Sequence, residues 1–317
     1  MDLFCGTGSV AVAAAKRGWD VHLNDTLTSA VVVAAARLLS PDAVRFAALG
    51  GYEGAIARLN RVASKEGFIF REYSPASLST AGIERRYFTK VNAGAIDGIR
   101  HQIDIWYSQN IISENEKTLL IADLLSAANR VANIAGTYGC FLSKWQKQAS
   151  DMISLRAREL NNRLINVTTS AVDAFDVRVR SGDTVYLDPP YTKRQYAAYY
   201  HILETIAVGD EPTVEGVAGL RPWRSKASAF CYKTRALDAL SNLVSGLSSE
   251  RIFLSYSDNA HISIDALTSQ LHAHGFVGSE RLKEISRYRP NRAATKGRST
   301  VSEYLITVST EAVELAA

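Results

Sequence analysis

Cysteine is scarce in this chain. Cys5, Cys140 and Cys231 are the only three in 317 residues, far apart and without a C-x-x-C pair. That usage argues against a disulfide framework or a zinc site and for a reducing compartment. Long apolar runs are also lacking: SAVVVAAARLL at 29–39 is too short to span a bilayer. The start carries Asp2 and has no basic segment, so it does not read as a signal peptide. A cytoplasmic protein with no membrane attachment is expected. Neither sign of charge dominates, since 36 Lys and Arg against 32 Asp and Glu leave a net +4. The excess is local. Between Glu280 and Arg298 stand Arg281, Lys283, Arg287, Arg289, Arg292, Lys296 and Arg298, against only Glu280 and Glu284. A solvated surface run and a phosphate-contacting strip both account for this stretch.

What is present is ordinary for a globular chain: 47% hydrophobic and 21% charged residues, enough for one sizeable core plus an inserted or appended lobe. Residues 2–4 read as the end of a buried strand, 9–17 as a helix, 20–24 as a strand and 29–39 as a helix. This β-α-β-α opening predicts a parallel sheet covered by helices. Residues 52–66 and 92–165 read as mostly helical, with a Ser113/Glu116 capping box, around a loop-like stretch at 67–91. Strand character returns at 164–168, 181–188, 251–257 and 302–309. Trp106, Trp145, Leu119, Leu120 and Leu124 read as the core of the helical lobe, and Tyr199, Tyr200 and His201 mainly as packing residues. The expected division is a catalytic domain at 1–50 and 160–317, interrupted by a helical insertion at 51–159.

Two short segments carry chemistry. In DLFCGTGSV the pair Gly6 and Gly8 lies between strand and helix, where glycine lets the backbone approach a ligand at a helix N-terminus. A glycine turn with no ligand also fits, and the loose G-x-G-x-x-A match is weak alone. Asp2, four residues ahead of Gly6, suits an amine or cation and not a pyrophosphate. Asp25, just after the second strand, suits a ribose diol or, more plainly, a turn or helix cap. Together they favour a phosphate-free nucleoside bearing an amino acid, namely S-adenosylmethionine.

The chain has only seven prolines, yet two are adjacent in VYLDPPYT, at 189 and 190. They fix the backbone and remove two N–H donors, leaving carbonyls to accept. Asp188 is a second acceptor and Tyr191 a flat face. At the end of a buried parallel strand the segment could hold an exocyclic amino group and stack its base. A rigid turn with a core tyrosine is the alternative.

With the motifs DLFCGTGSVA (2–11), DAF (173–175), YLDPPYTKRQY (186–196), FLSYSD (253–258) and SEYL (302–305), in this order, the chain resembles the D12 class of N6-adenine DNA methyltransferases, which includes the Dam-like enzymes. LNRVASKEGFIFREYSP (59–75), RRYFT (85–89) and ANIAGTYGCFLSKW (132–145) resemble its target-recognition elements. The resemblance implies an α/β fold: a Rossmann-like S-adenosylmethionine-dependent methyltransferase sheet with a mainly helical inserted target-recognition domain. It implies that Asp2, Gly6 and Gly8 hold the methionine moiety, with Phe4 beside them, and that Asp25 holds the ribose. Asp173, with the Ala174 and Phe175 backbone, would take the cofactor adenine. Asp188, Pro189, Pro190 and Tyr191 would hold a flipped target adenine. S-adenosylhomocysteine would be the product, and no metal is required.

Double-stranded DNA is the implied partner. Arg61, Lys65, Arg71, Arg85 and Arg86, with Asn60 and Lys90, would suit groove and phosphate contacts, an exposed loop with ordinary charges being the alternative, and Arg287, Arg289 and Arg292 could belong to a second DNA-facing loop. The enzyme is expected to act as a monomer, with a cognate restriction endonuclease encoded nearby as a candidate companion. Family members carry a G-S-K- or G-G-K-like turn ahead of the glycine motif. This sequence starts at the motif, so weaker cofactor binding than in a chain extended upstream is expected. Cytosine N4 methylation and a DNA-binding module with a degraded cofactor site remain as alternatives. A nicotinamide dehydrogenase is disfavoured by Asp2 and DPPY.

Overall fold

The computed structural model of the chain describes residues 1–286 and 300–309, which fall into two compact units. The first comprises Met1–Phe4, Val172–Gln195 and the described residues from Ser228 on; the second comprises Cys5–Ala171 and Tyr196–Ala227. Compactness and function divide a chain by different criteria.

The second unit opens with α1 (Ser9–Lys16), β1 (Val21–Asn24) and α2 (Thr28–Ala36). β1 pairs in parallel with β2 (Val167–Ser170), Val21 opposite Val167. Alanines predominate where these helices pack: Ala11, Ala15, Ala34 and Ala35 are buried with Val21, Leu23 and Val31. The turn into α1 exploits this close approach. Gly8 has φ +76°, and a Cβ there would lie 2.8 Å from Ala34 Cβ and 2.9 Å from Ala34 Cα.

The helical part of this unit contains α3 (Gly51–Leu59), α4 (Phe68–Tyr73), α5 (Ser77–Ala81), α6 (Lys90–Ser108) and α7 (Glu114–Arg130). Its core buries Tyr73, Tyr87, Phe88, Ile96, Ile103, Leu119, Leu120, Leu124 and Tyr138. α7 starts in the expected capping box: Ser113 accepts from the Glu116 N–H, and Glu116 accepts from the Ser113 N–H. Two expectations fail here. Part of the stretch read as loop is helical, because Asp97 of α6 accepts from the Ile69 and Phe70 N–H groups at 3.0 and 2.8 Å and so caps α4 from a distance. Conversely, 131–165 is not helical beyond a 3-10 turn at Lys147–Ser150. Asn133, fully buried, instead ties this backbone into turns: its amide donates to the Arg86 and Leu142 carbonyls and accepts from the Gln146 N–H. Trp145 accordingly lies 37% exposed and not in the core, whereas Trp106 is buried as expected. Two further helices, α8 (Tyr196–Tyr199) and α9 (His201–Val208), complete the unit.

The first unit is built on β3 (Thr184–Leu187), β4 (Arg251–Ser257), β5 (Phe276–Ser286) and β6 (Thr300–Ser309), in the order β3-β4-β6-β5, with α10 (Ala236–Gly246) and α11 (Ile264–Leu271). β3 and β4 are parallel; β6 runs antiparallel to β4 and to β5. β5 carried no strand signal in the sequence reading. Ahead of β3 the opening residues form only a bridge: Tyr186 donates to Met1 O at 2.8 Å and accepts from the Leu3 N–H at 3.2 Å. Alternation does the sorting. Val185, Leu187, Ile252, Leu254, Ile306 and Val308 point to one face and form the core with Leu240, Leu243, Leu267 and Leu271. Fully burying each such side chain contributes about 1.5–3 kcal/mol.

Gly8→Ala is expected to cost about 1–3 kcal/mol of stability in urea unfolding, from positive-φ strain and overlap with α2. Adding Ala34→Gly should recover little of it, because the Cα of residue 34 stays in the way and a glycine within α2 itself costs about 1 kcal/mol.

Candidate functional site

In the first unit, β3 delivers Asp188, Pro189, Pro190 and Tyr191 directly from its C-terminal end. The strand's core side chains, Val185 and Leu187, alternate with Tyr186 and Asp188, so these two share the other face. Asp2, buried at 5% exposure, bridges to Tyr186 and so lies alongside them. Ser257 of β4 pairs with Glu303 of β6, which adds a second acidic group near Asp188. The Tyr186 hydroxyl bonds with Ser255 and lies within the fields of Asp188, Asp2 and Glu303; lost hydration, with these charges adding, raises its pKa. Solvent reaches the Asp188 carboxyl, yet the protein around it removes hydration and Glu303 adds repulsion, pushing its pKa up to about 6. At neutral pH it is an ionised acceptor held in a place where ionisation is costly. Tyr191 is half-buried, its ring edge-on to Tyr256 at 5.6 Å between centroids.

Asp173, in the same unit, accepts from the Phe175 N–H at 3.1 Å and caps the short turn Ala174–Asp176. That N–H is therefore engaged, and what Phe175 offers a ligand is its ring, 48% exposed and stacked on Phe230 at 6.0 Å and 10°. Phe4 meets Phe230 edge-on at 5.5 Å.

The second unit carries Gly6, Gly8 and Asp25. Asp25 accepts from the Gly6 N–H at 3.2 Å and the Leu27 N–H at 3.0 Å, so it shapes the glycine turn as well as closing its own. Burial pushes its carboxyl above the usual range, against the pull of these two bonds. A group the sequence reading passed over supports this corner. Glu204, 1% exposed, accepts from the Thr28 and Ser29 N–H groups at the start of α2 and from Lys226 Nζ at 2.9 Å. Burial works against its ionisation, but these donors outweigh it and hold the carboxyl below its ordinary range. A lone glutamate in the apolar helix HILETIAV was the signal that could have found it.

The DNA-facing candidates separate by environment. Arg61 and Lys65 are exposed. Arg71 and Arg86 are partly exposed, paired with Glu211 at 2.8 Å and Glu84 at 2.5 Å. Arg85 is 3% exposed; it pairs with Glu72 at 2.6 Å and donates to the Val217 and Gly216 carbonyls. Its donors are spent inside the protein, which removes it from the DNA-facing set. Asn60 is likewise occupied, bonded to both the N–H and the carbonyl of Leu155. Arg287, Arg289 and Arg292 lie outside the described residues. His201 is fully buried with Nε2 3.0 Å from the Tyr138 carbonyl, and burial lowers its pKa to about 4. It is a neutral packing group, as expected. Among the described residues no cluster of three or more His, Cys, Asp or Glu could hold a metal ion, and no helix is long and apolar enough to cross a membrane.

Arg85→Ala strands the Glu72 carboxylate and is expected to lose about 3–5 kcal/mol of stability, read by chemical denaturation. The Asp188 value lies above that of an unfolded chain, about 3.9. Its ionisation therefore removes stability as pH rises from about 4 to 6. A carboxyl-carbon NMR titration should place its midpoint near 6, and Glu303→Gln should lower that midpoint by removing a like charge.

Residues 1–270 match the family described as D12 class N6 adenine-specific DNA methyltransferase. Type II methyltransferase M.FokI of Planomicrobium okeanokoites is 33% identical over 96% of this chain and 47% of its own length. Modification methylase StsI of Streptococcus sanguinis is 32% identical over 90% of this chain and 44% of its own. Type II methyltransferase M.NlaIII of Neisseria lactamica is 35% identical over 66% of this chain and 61% of its own. The chain thus spans about half the length of the first two. No solved structure is significantly similar to it. With motif and match covering most of its length, the chain belongs to the D12 class of N6 adenine-specific DNA methyltransferases.

Proposed function

We propose that the chain transfers a methyl group from S-adenosylmethionine to N6 of an adenine flipped out of duplex DNA. The observation that carries this reading is Asp188-Pro189-Pro190-Tyr191 at the C-terminal end of a parallel strand, its carboxylate open to solvent and its tyrosine ring braced on Tyr256.

Bound S-adenosylmethionine would supply an electrophilic methyl on a sulfonium, with a neutral thioether as a good leaving group. The chain's own contribution is positional. An adenine amino nitrogen is a poor nucleophile because its lone pair is delocalised into the ring. Asp188 and the Pro189 carbonyl accept hydrogen bonds from its two N–H groups, favouring a pyramidal nitrogen whose lone pair is available for in-line attack; the neutral thioether leaves, and the methylated, cationic nitrogen gives up one proton to solvent. Tyr191 stacks on the flipped base and offsets part of an unstacking cost of a few kcal/mol. As pH falls through about 6, Asp188 becomes protonated and a weaker acceptor, so the turnover rate falls on the acid side.

The residues present suit the cofactor. Asp2, a buried carboxylate, suits the methionine ammonium, with Phe4 nearby; the Gly6–Gly8 turn permits close backbone approach, although the positive φ of Gly8 and the nearness of Ala34 already call for glycine there. Asp25 suits the ribose hydroxyls; Asp173, Ala174 and the Phe175 ring suit the adenine.

The division into a catalytic part (1–50 and 160–317) and a helical target-recognition insertion (51–159) belongs to the same proposal. It is supported by the run of helices from α3 to α7. Arg61, Lys65, Arg71 and Arg86 are its proposed DNA contacts. The relatives' names, type II methyltransferase and modification methylase, support a companion restriction endonuclease.

Incubation of the purified chain with S-adenosylmethionine and unmethylated DNA, followed by nucleoside mass spectrometry, should yield N6-methyladenine. Asp188→Ala should reduce it at least about 100-fold. N4-methylcytosine instead, or DNA binding with no methylated base, would overturn the assignment.

A further inference from the structure

The 3-10 turn Ala229–Cys231 follows from neither sequence motif, yet it touches both the residues proposed for the cofactor adenine and the loop proposed for the target adenine. Phe230, 4% exposed, is sandwiched within the first unit: Phe175 lies parallel to it on one side and Phe4 meets it edge-on. Phe175 thus lies against a fixed, parallel, offset ring and remains half-exposed. A ring already backed in this way loses little freedom when a flat ligand stacks on its open face.

The same turn is bound to the DPPY loop. Gln195, 8% exposed and seven residues after Asp188, donates its amide to the Ser228 carbonyl at 3.0 Å and accepts from the Ser228 N–H at 2.9 Å. This two-point bond copies a backbone pairing with a side chain. Cys231 Sγ adds a third link, donating to the Arg194 carbonyl at 3.2 Å.

We propose that Phe230 is a cofactor-positioning residue: its ring backs Phe175, whose open face seats the cofactor's adenine, and the Gln195–Ser228 pair fixes this two-ring seat to the loop that holds the target adenine. The inference rests on the proposed methyltransferase activity. Its consequence is mechanical. The seat of the methyl donor and the acceptors of the amino group are braced through one turn, and an in-line transfer is lost steeply when its partners are misplaced by about 1 Å.

The test is calorimetric binding of S-adenosylhomocysteine to wild type, Phe175→Leu, Phe230→Leu and the double variant. Each single change should weaken binding about two- to tenfold, and the double variant should be no weaker than the worse single, because both remove one stack. Phe230→Tyr, which keeps the ring, should bind near the wild-type level. Unchanged affinity in Phe175→Leu or in Phe230→Leu, or losses that multiply in the double variant, would overturn the seat. Should Phe230→Leu fail to fold, Phe175→Leu and Phe230→Tyr still decide it. Gln195→Leu should leave this affinity within about twofold while slowing the single-turnover methylation rate about tenfold or more. An unchanged rate would overturn the brace. Wild-type protein that binds no S-adenosylhomocysteine would instead remove the methyltransferase reading on which the inference rests.

Discussion

The pairing of the chain's first three residues with β3 is the constraint on which the first unit's chemistry depends. Two backbone hydrogen bonds to Tyr186 bring Asp2 alongside that residue. Because side chains alternate along a strand, the same register that sends Leu3, Val185 and Leu187 into the core leaves Tyr186 and Asp188 together on the other face. A slip of one residue would exchange the faces, burying the carboxylate of Asp188 and exposing the core. Folding energy and functional geometry are therefore set by one register.

That face concentrates negative charge. Asp188 and Glu303 share it, Asp2 lies close by, and burial adds to their repulsion. Such an arrangement works against stability and persists because the apolar face of the same sheet outweighs it. It also suits the chemistry proposed, since an amino nitrogen that gains positive charge as it is methylated and a cationic methyl donor are both stabilised by nearby negative charge. In the second unit the opposite device appears. Glu204 is buried but hydrogen-bonded by the start of α2 and by Lys226, so the cost of burying its charge is outweighed and it anchors the turn beside Asp25.

Much of this was legible beforehand where the signal was local. The capping box at Ser113 and Glu116, β1, β3, β4 and β6, and the packing role of His201 all followed from short patterns. Where a residue's environment is closed by distant chain, the sequence was silent. α4 reads as loop because its cap is Asp97, one helix further on. Arg85 reads as a surface cation because the carbonyls that surround it belong to Val217 and Gly216, more than 130 residues away. Trp145 reads as core because a tryptophan in an apparently helical stretch usually is; the buried Asn133 turns that stretch into a fixed loop.

What the sequence by itself determined is the chemical inventory and its order: a glycine turn preceded by Asp2, and acceptors fixed by two prolines after a buried strand. Those follow from residue type and period, which need no partner. Only the tertiary structure decided which groups remain available and how they are backed: Arg85 consumed, the Phe175 N–H engaged while its ring stays open, Phe230 set behind it, and Gln195 bonded across to Ser228. The physical reason is that a hydrogen bond or ring stack is satisfied by whatever arrives in space, and a local pattern carries no record of what will arrive.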